Sequence, residues 1–74
     1  MSIMETIRAR YLSLSSVQKR IADYCLEHPD EASYQTLREF SQTTHTTDAT
    51  VLKFCGNMGC EGFLAFRRQL QEYV

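Results

Sequence analysis

Leu37-Arg38-Glu39-Phe40-Ser41-Gln42-Thr43-Thr44-His45-Thr46-Thr47-Asp48-Ala49-Thr50-Val51-Leu52-Lys53-Phe54-Cys55-Gly56 is the stretch that decides the fold. Thr36 stands just before it and, with Glu39, forms a T-x-x-E capping box, so a helix starts at Leu37. Leu37 and Phe40 share one face of that helix, which ends near Thr43. The polar tetrapeptide Thr44-His45-Thr46-Thr47 is too short for a linker and is a turn. Thr47 is a good N-cap for a second helix, which carries Val51, Phe54, Cys55 and Met58 on one face and is stopped by Gly59 at the left-handed position. Two short helices joined by a turn of about four residues make a helix-turn-helix, over about residues 37–56. Ser41 meets the need for a small residue facing the second helix. The turn wants a residue that tolerates positive φ, and His45 fills that place less well than glycine.

The flanking segments are helical too. Ile3, Ile7, Tyr11 and Leu12 lie close to one face of a first segment, and Ser13-Leu14-Ser15-Ser16 breaks it. Leu14, Val17, Ile21, Tyr24, Cys25 and His28 follow helical spacing in a second, with Ser15 and Gln18 in an S-x-x-Q capping box. Pro29 stops that helix and opens a short helical turn through Asp30 to Ser33. Gly62 to Tyr73 is the last helix, with Phe63, Phe66 and Leu70 inward and Arg67, Arg68 and Gln69 outward. The fold class is all-α: a small bundle of about five to six short helices containing the helix-turn-helix. The first helix packs either on its own chain or on a second copy.

With 74 residues, the chain holds one domain. No apolar run approaches the ~20 residues that span a bilayer, and the N-terminus lacks the basic and apolar regions of a secretory signal. Three cysteines, an odd number without a CxxC, fit buried reduced thiols in a cytoplasmic protein. Neither the cysteine nor the histidine spacing is a zinc pair, so no metal and no cofactor is expected. Ser-His-Asp, Cys-His, paired-carboxylate and phosphate-loop patterns are all missing, so the chain reads as non-enzymatic. Eight Lys+Arg against nine Asp+Glu give a net charge of −1. Binding to DNA by bulk charge is thereby excluded, and any contact must come from local geometry.

In a helix-turn-helix, the first turn of the second helix offers short hydrogen-bonding side chains to DNA. Thr46, Thr47, Asp48 and Thr50 occupy that turn. Thr47 caps the helix in any case. Lys53, one turn on, has the reach for a phosphate or a guanine. Gln35 and Thr36 sit at the N-terminus of the motif's first helix, where free N–H groups suit a phosphate. Asp48 repels phosphate unless it accepts from a cytosine amino group, and complementing the helix dipole is its simpler role.

Four separated blocks carry a resemblance to a known family. They are Gln18 to Tyr24, His28-Pro29-Asp30-Glu31, Asp48-Ala49-Thr50-Val51 with Phe54-Cys55 and Met58-Gly59, and Gly62-Phe63-Leu64-Ala65-Phe66-Arg67. In order and spacing they resemble the N-terminal domain of RpiR-family transcriptional regulators, over nearly the whole chain. The resemblance implies a helix-turn-helix domain at 1–74 and a homodimer on double-stranded operator DNA. It also implies control by a phosphosugar, sensed in a C-terminal sugar-isomerase-like (SIS) domain that lies outside this chain. A recognition helix of about 47–58 then reads the major groove. The chain departs from the family at Ser41, His45, Thr46, Lys53, Gly56 and Asn57, which lowers the positive charge of that helix. The alternative is a degenerate helix-turn-helix serving protein association.

Overall fold

The structure, a computed structural model, describes residues 2–74. Its elements are α1 (Ile3–Arg10), a 3₁₀ turn (Tyr11–Ser13), α2 (Ser16–Glu27), α3 (Pro29–Ala32), α4 (Leu37–Thr43), α5 (Asp48–Asn57) and α6 (Phe63–Tyr73). Among the described residues there is no strand, and no helix is long and apolar enough to cross a membrane.

Side-chain caps set most of the helix starts. The hydroxyls of Ser2, Ser15, Thr36 and Thr47 accept from the backbone N–H three residues on. The Thr36–Glu39 box is complete, with the Glu39 carboxylate accepting from the Thr36 N–H at 2.9 Å. The Ser15–Gln18 box is only half made. Ser15 caps, but the Gln18 side-chain oxygen accepts instead from the Asn57 amide at 2.7 Å. A partner from α5 displaces the local one.

The core is aromatic. Phe40 (α4), Phe54 (α5) and Phe66 (α6) are fully buried. Phe66 meets Phe54 at 5.7 Å and Phe40 at 6.3 Å between ring centres, both edge to face. Phe63 and Tyr24 pack on Phe40 in the same manner. Such pairs contribute about 0.5–1.5 kcal/mol each beyond the area they bury. Ile3, Met4 and Ile7 are buried within the chain, where α1 lies against α6 and α2. Two residues of the expected α2 face are exposed: Val17 at the first turn and His28 at the C-cap. Cys25, Cys55 and Cys60 are buried free thiols. Burial pushes the Cys25 thiol up, and the Cys55 thiol to about 12.

Two helices end in the same way. After α5, Cys60 N–H bonds the Cys55 carbonyl and Gly59 N–H bonds the Gly56 carbonyl, both at 2.9 Å, with Gly59 at φ 83°. After α4, Thr46 N–H bonds the Ser41 carbonyl at 2.9 Å and His45 N–H the Gln42 carbonyl at 3.1 Å, with His45 at φ 56°. Both are Schellman closures. The second is the turn of the helix-turn-helix, and histidine adopts a left-handed conformation there at a steric cost.

Opposite shifts are expected from two neighbouring residues of α5. Phe54→Ala removes a fully buried ring and destabilises by about 3–5 kcal/mol. A Cβ added at Gly56 meets nothing within 4 Å. Gly56→Ala therefore raises stability by about 0.5–1 kcal/mol. Urea unfolding of the two variants beside the parent checks both signs.

Candidate nucleic-acid interface

Burial sorts the residues of α5 into two faces. Val51, Phe54 and Cys55 are buried, while Ala49, Leu52, Lys53, Gly56 and Asn57 are exposed. Ala49, Leu52, Lys53 and Gly56 follow helical spacing and make one outward stripe. The stripe begins beside an open concavity of about 400 Å³, lined by Arg38, Ser41, Gln42, Thr46, Thr47, Asp48 and Ala49. The far side of α5 is thus fixed by the core, and its near side is open to solvent.

Side chains from outside the motif hold this helix at both ends. Arg20 of α2 donates to the His45 carbonyl at 3.0 Å. Arg10 of α1 donates to the Asn57 carbonyl at 2.7 Å, where a cation also suits the negative end of the helix dipole. Gln18 accepts from Asn57 beside it.

The residues singled out in the sequence divide into two groups. Thr47 caps α5, and its hydroxyl lies 3.0 Å from that of Thr50. Thr46 pairs with the buried Thr44 hydroxyl at 2.9 Å. Lys53 is exposed on the stripe, and Thr36 is exposed at the start of α4. Thr46, Thr47 and Asp48 line the concavity together. Gln35 is engaged internally: its oxygen accepts from Tyr24 at 3.0 Å and its amide donates to Thr43 at 3.0 Å. Arg67, expected outward, donates to the Gln35 carbonyl at 3.1 Å and lies over Phe63. That contact holds the start of the motif against α6.

Asp48 is more than a charge at a helix N-terminus. One carboxylate oxygen accepts from Ser41 Oγ at 2.6 Å, and the other lies 3.3 Å from Arg38 Nε. The Ser41 proton has the Arg38 carbonyl as a second acceptor at 3.0 Å, and the charged, closer oxygen is the stronger one. The Ser41 hydrogen bond and then Arg38 hold the Asp48 carboxyl below its ordinary value of 3.8. The sequence left Arg38 open between a backbone contact and a solvated face, and its spacing missed Gln42 and Leu52 as parts of this surface. Leu52 was legible as the residue three after Ala49, whereas Arg38 and Gln42 reach the surface only once α4 and α5 cross.

A lowered carboxyl pKa contributes stability that is present above the unfolded value and is lost as pH falls through the folded one. Asp48→Asn is therefore expected to lower stability near neutrality and to flatten part of the acid limb, so that parent and variant converge at low pH. Urea midpoints measured down through the carboxylate range, for parent and variant, check this.

Comparison with known proteins places this geometry. A profile described as "Helix-turn-helix domain, rpiR family" matches residues 1–74. An HTH-type transcriptional regulator of Haemophilus influenzae is 33% identical over 69 residues, which cover 93% of this chain and 24% of that protein. The N-terminal domain of the ybbH regulator of Bacillus subtilis superposes with a TM-score of 0.87 at 28% identity, over 93% of this chain and 84% of that one. The Vibrio vulnificus NanR protein, complexed with ManNAc-6P, superposes with a TM-score of 0.93 at 29% identity, over 97% of this chain and 28% of that one. The chain spans about a quarter of the length of the curated regulators it matches. By its full-length match and its helix-turn-helix geometry, the chain belongs to the rpiR family of helix-turn-helix domains.

Proposed function

We propose that this chain is the DNA-binding domain of a transcriptional regulator and that α5 enters the major groove of a double-stranded operator. The observation that carries the reading is the two-faced α5. Its inner side is locked by Val51, Phe54 and Cys55, and its outer side presents Ala49, Leu52 and Lys53 beside a threonine-rich first turn. A helix held this way positions short polar groups at base edges without reordering. Thr47 and Thr50 meet phosphate or base edges, Lys53 meets a phosphate or a guanine, and the exposed Ala49 and Leu52 suit thymine methyl groups. Thr36 and Thr46 approach the backbone from either side. Gln35, bonded to Tyr24 and Thr43, acts by steadying the start of α4.

The finer reading has two further parts. A homodimer engages a palindrome with half-sites about one helical turn apart. A phosphosugar, sensed by a domain beyond this chain, adjusts that binding. Support for the second part is the likeness to NanR, which was solved with ManNAc-6P.

Titration of isotope-labelled protein with mixed-sequence duplex at low salt tests the reading through backbone amides. Shifts at Thr36, Thr46 to Lys53 and the turn are expected, with a dissociation constant of about 10⁻⁴–10⁻⁶ M that weakens with salt. Lys53→Ala is expected to weaken binding and lower the salt slope by about one. Absence of any salt-sensitive shift, together with concentration-dependent self-association, overturns the DNA reading in favour of an association module.

A further inference from the structure

An acid at the first position of a recognition helix faces the phosphates of any DNA lying there. By Coulomb repulsion alone, removing it should tighten binding. Asp48, however, is bonded on both oxygens. Ser41, nearly buried on α4, fixes one carboxylate oxygen at 2.6 Å. The other holds Arg38 by Nε at 3.3 Å, an ion pair across the two motif helices. Among the described residues Arg38 is held on that one edge only. No hydrogen bond from its two terminal amines is found among the described residues, and its side chain is 73% exposed. Arg38 and Asp48 stand at the rim of the concavity that Thr46, Thr47 and Ala49 also line.

We propose that Asp48 is a positioning residue for DNA binding. With Ser41 it grips Arg38 by Nε and turns the two terminal amines of that guanidinium toward a backbone phosphate. This inference rests on the DNA-binding reading above and names a contact residue, Arg38, that the sequence pattern did not select. An arginine has five N–H donors in a planar fork, so a carboxylate on Nε leaves the outer pair free for bidentate phosphate contact. Holding the side chain before binding removes the ordering cost that a free arginine would bring to the complex. The local charge balance also changes: the Arg38–Asp48 pair is neutral as a unit, and its positive end is the exposed one.

The test is a double-mutant cycle on this chain, with mixed-sequence duplex at low salt. Arg38→Ala is expected to weaken binding about tenfold, the scale of one charge-assisted hydrogen bond, and to lower the salt slope by about one. Asp48→Asn is expected to weaken binding about two- to tenfold although it removes a negative charge, because Arg38 must then be ordered on binding. In the Arg38→Ala background the same Asp48→Asn change is expected to leave binding unchanged or tighten it. In free protein, the Arg38 Nε–H resonance is expected to be resolved and to broaden or move in Asp48→Asn, a readout independent of DNA. Helical circular dichroism confirms folding of each variant. Tighter binding by Asp48→Asn, or additive effects in the cycle, overturns the positioning role while leaving the DNA reading intact. Failure of the parent chain itself to bind duplex overturns the DNA reading, and this inference with it.

Discussion

Phe66 of α6 holds the structure together, because it meets Phe40 of α4 and Phe54 of α5 at once, both edge to face. Each motif helix is too short to persist alone in water. Their mutual angle is set because two rings from the motif seat against one ring from outside it. Tyr24 and Phe63 extend the cluster on the Phe40 side. The C-terminal helix is therefore the back wall of the motif, and the outward direction of Ala49 and Lys53 follows from where Phe54 is held.

Hydrogen bonds fix what the aromatic cluster leaves free, which is the sliding and rotation of α5. Arg20 at the turn and Arg10 at the far end tie the backbone carbonyls at either side of that helix. Ser41 and Asp48 join the two motif helices through polar groups where a small side chain permits close approach. These bonds occupy groups that a solvent-exposed motif would leave to water. In a chain with a net charge of −1, they also decide which cations stay available. Arg10, Arg20 and Arg67 carry backbone bonds, whereas Lys53 and the outer edge of Arg38 face solvent.

The paired Schellman closures show how residue type and position act at different levels. Gly59 announces its left-handed conformation, because glycine lacks the Cβ that opposes it. His45 has no such signature, and its position in the turn is what demands positive φ. Both closures share the same hydrogen-bond pattern, so the same backbone geometry is met without a Cβ at Gly59 and with one at His45. The capping boxes divide similarly. Thr36–Glu39 is local and complete. Gln18 instead serves Asn57, a residue far along the chain that no local pattern connects to it.

By itself the sequence determined the helices, the caps at Ser15, Thr36 and Thr47, the turn and the inward faces of α4, α5 and α6. These depend on interactions within a few residues: side-chain oxygens reaching nearby N–H groups, and apolar side chains recurring every turn. The candidate surface was half legible for the same reason. Thr47, Thr50 and Lys53 follow from position on one helix. The tertiary structure alone decided that α1 packs on its own chain, that Arg67 turns in to the Gln35 carbonyl and that Gln35 is bonded on both ends of its amide. It alone brought Arg38 and Ser41 of one helix to Asp48 of the next. Such contacts depend on the angle at which helices cross, and that angle is a property of the packed core rather than of any local run of residues.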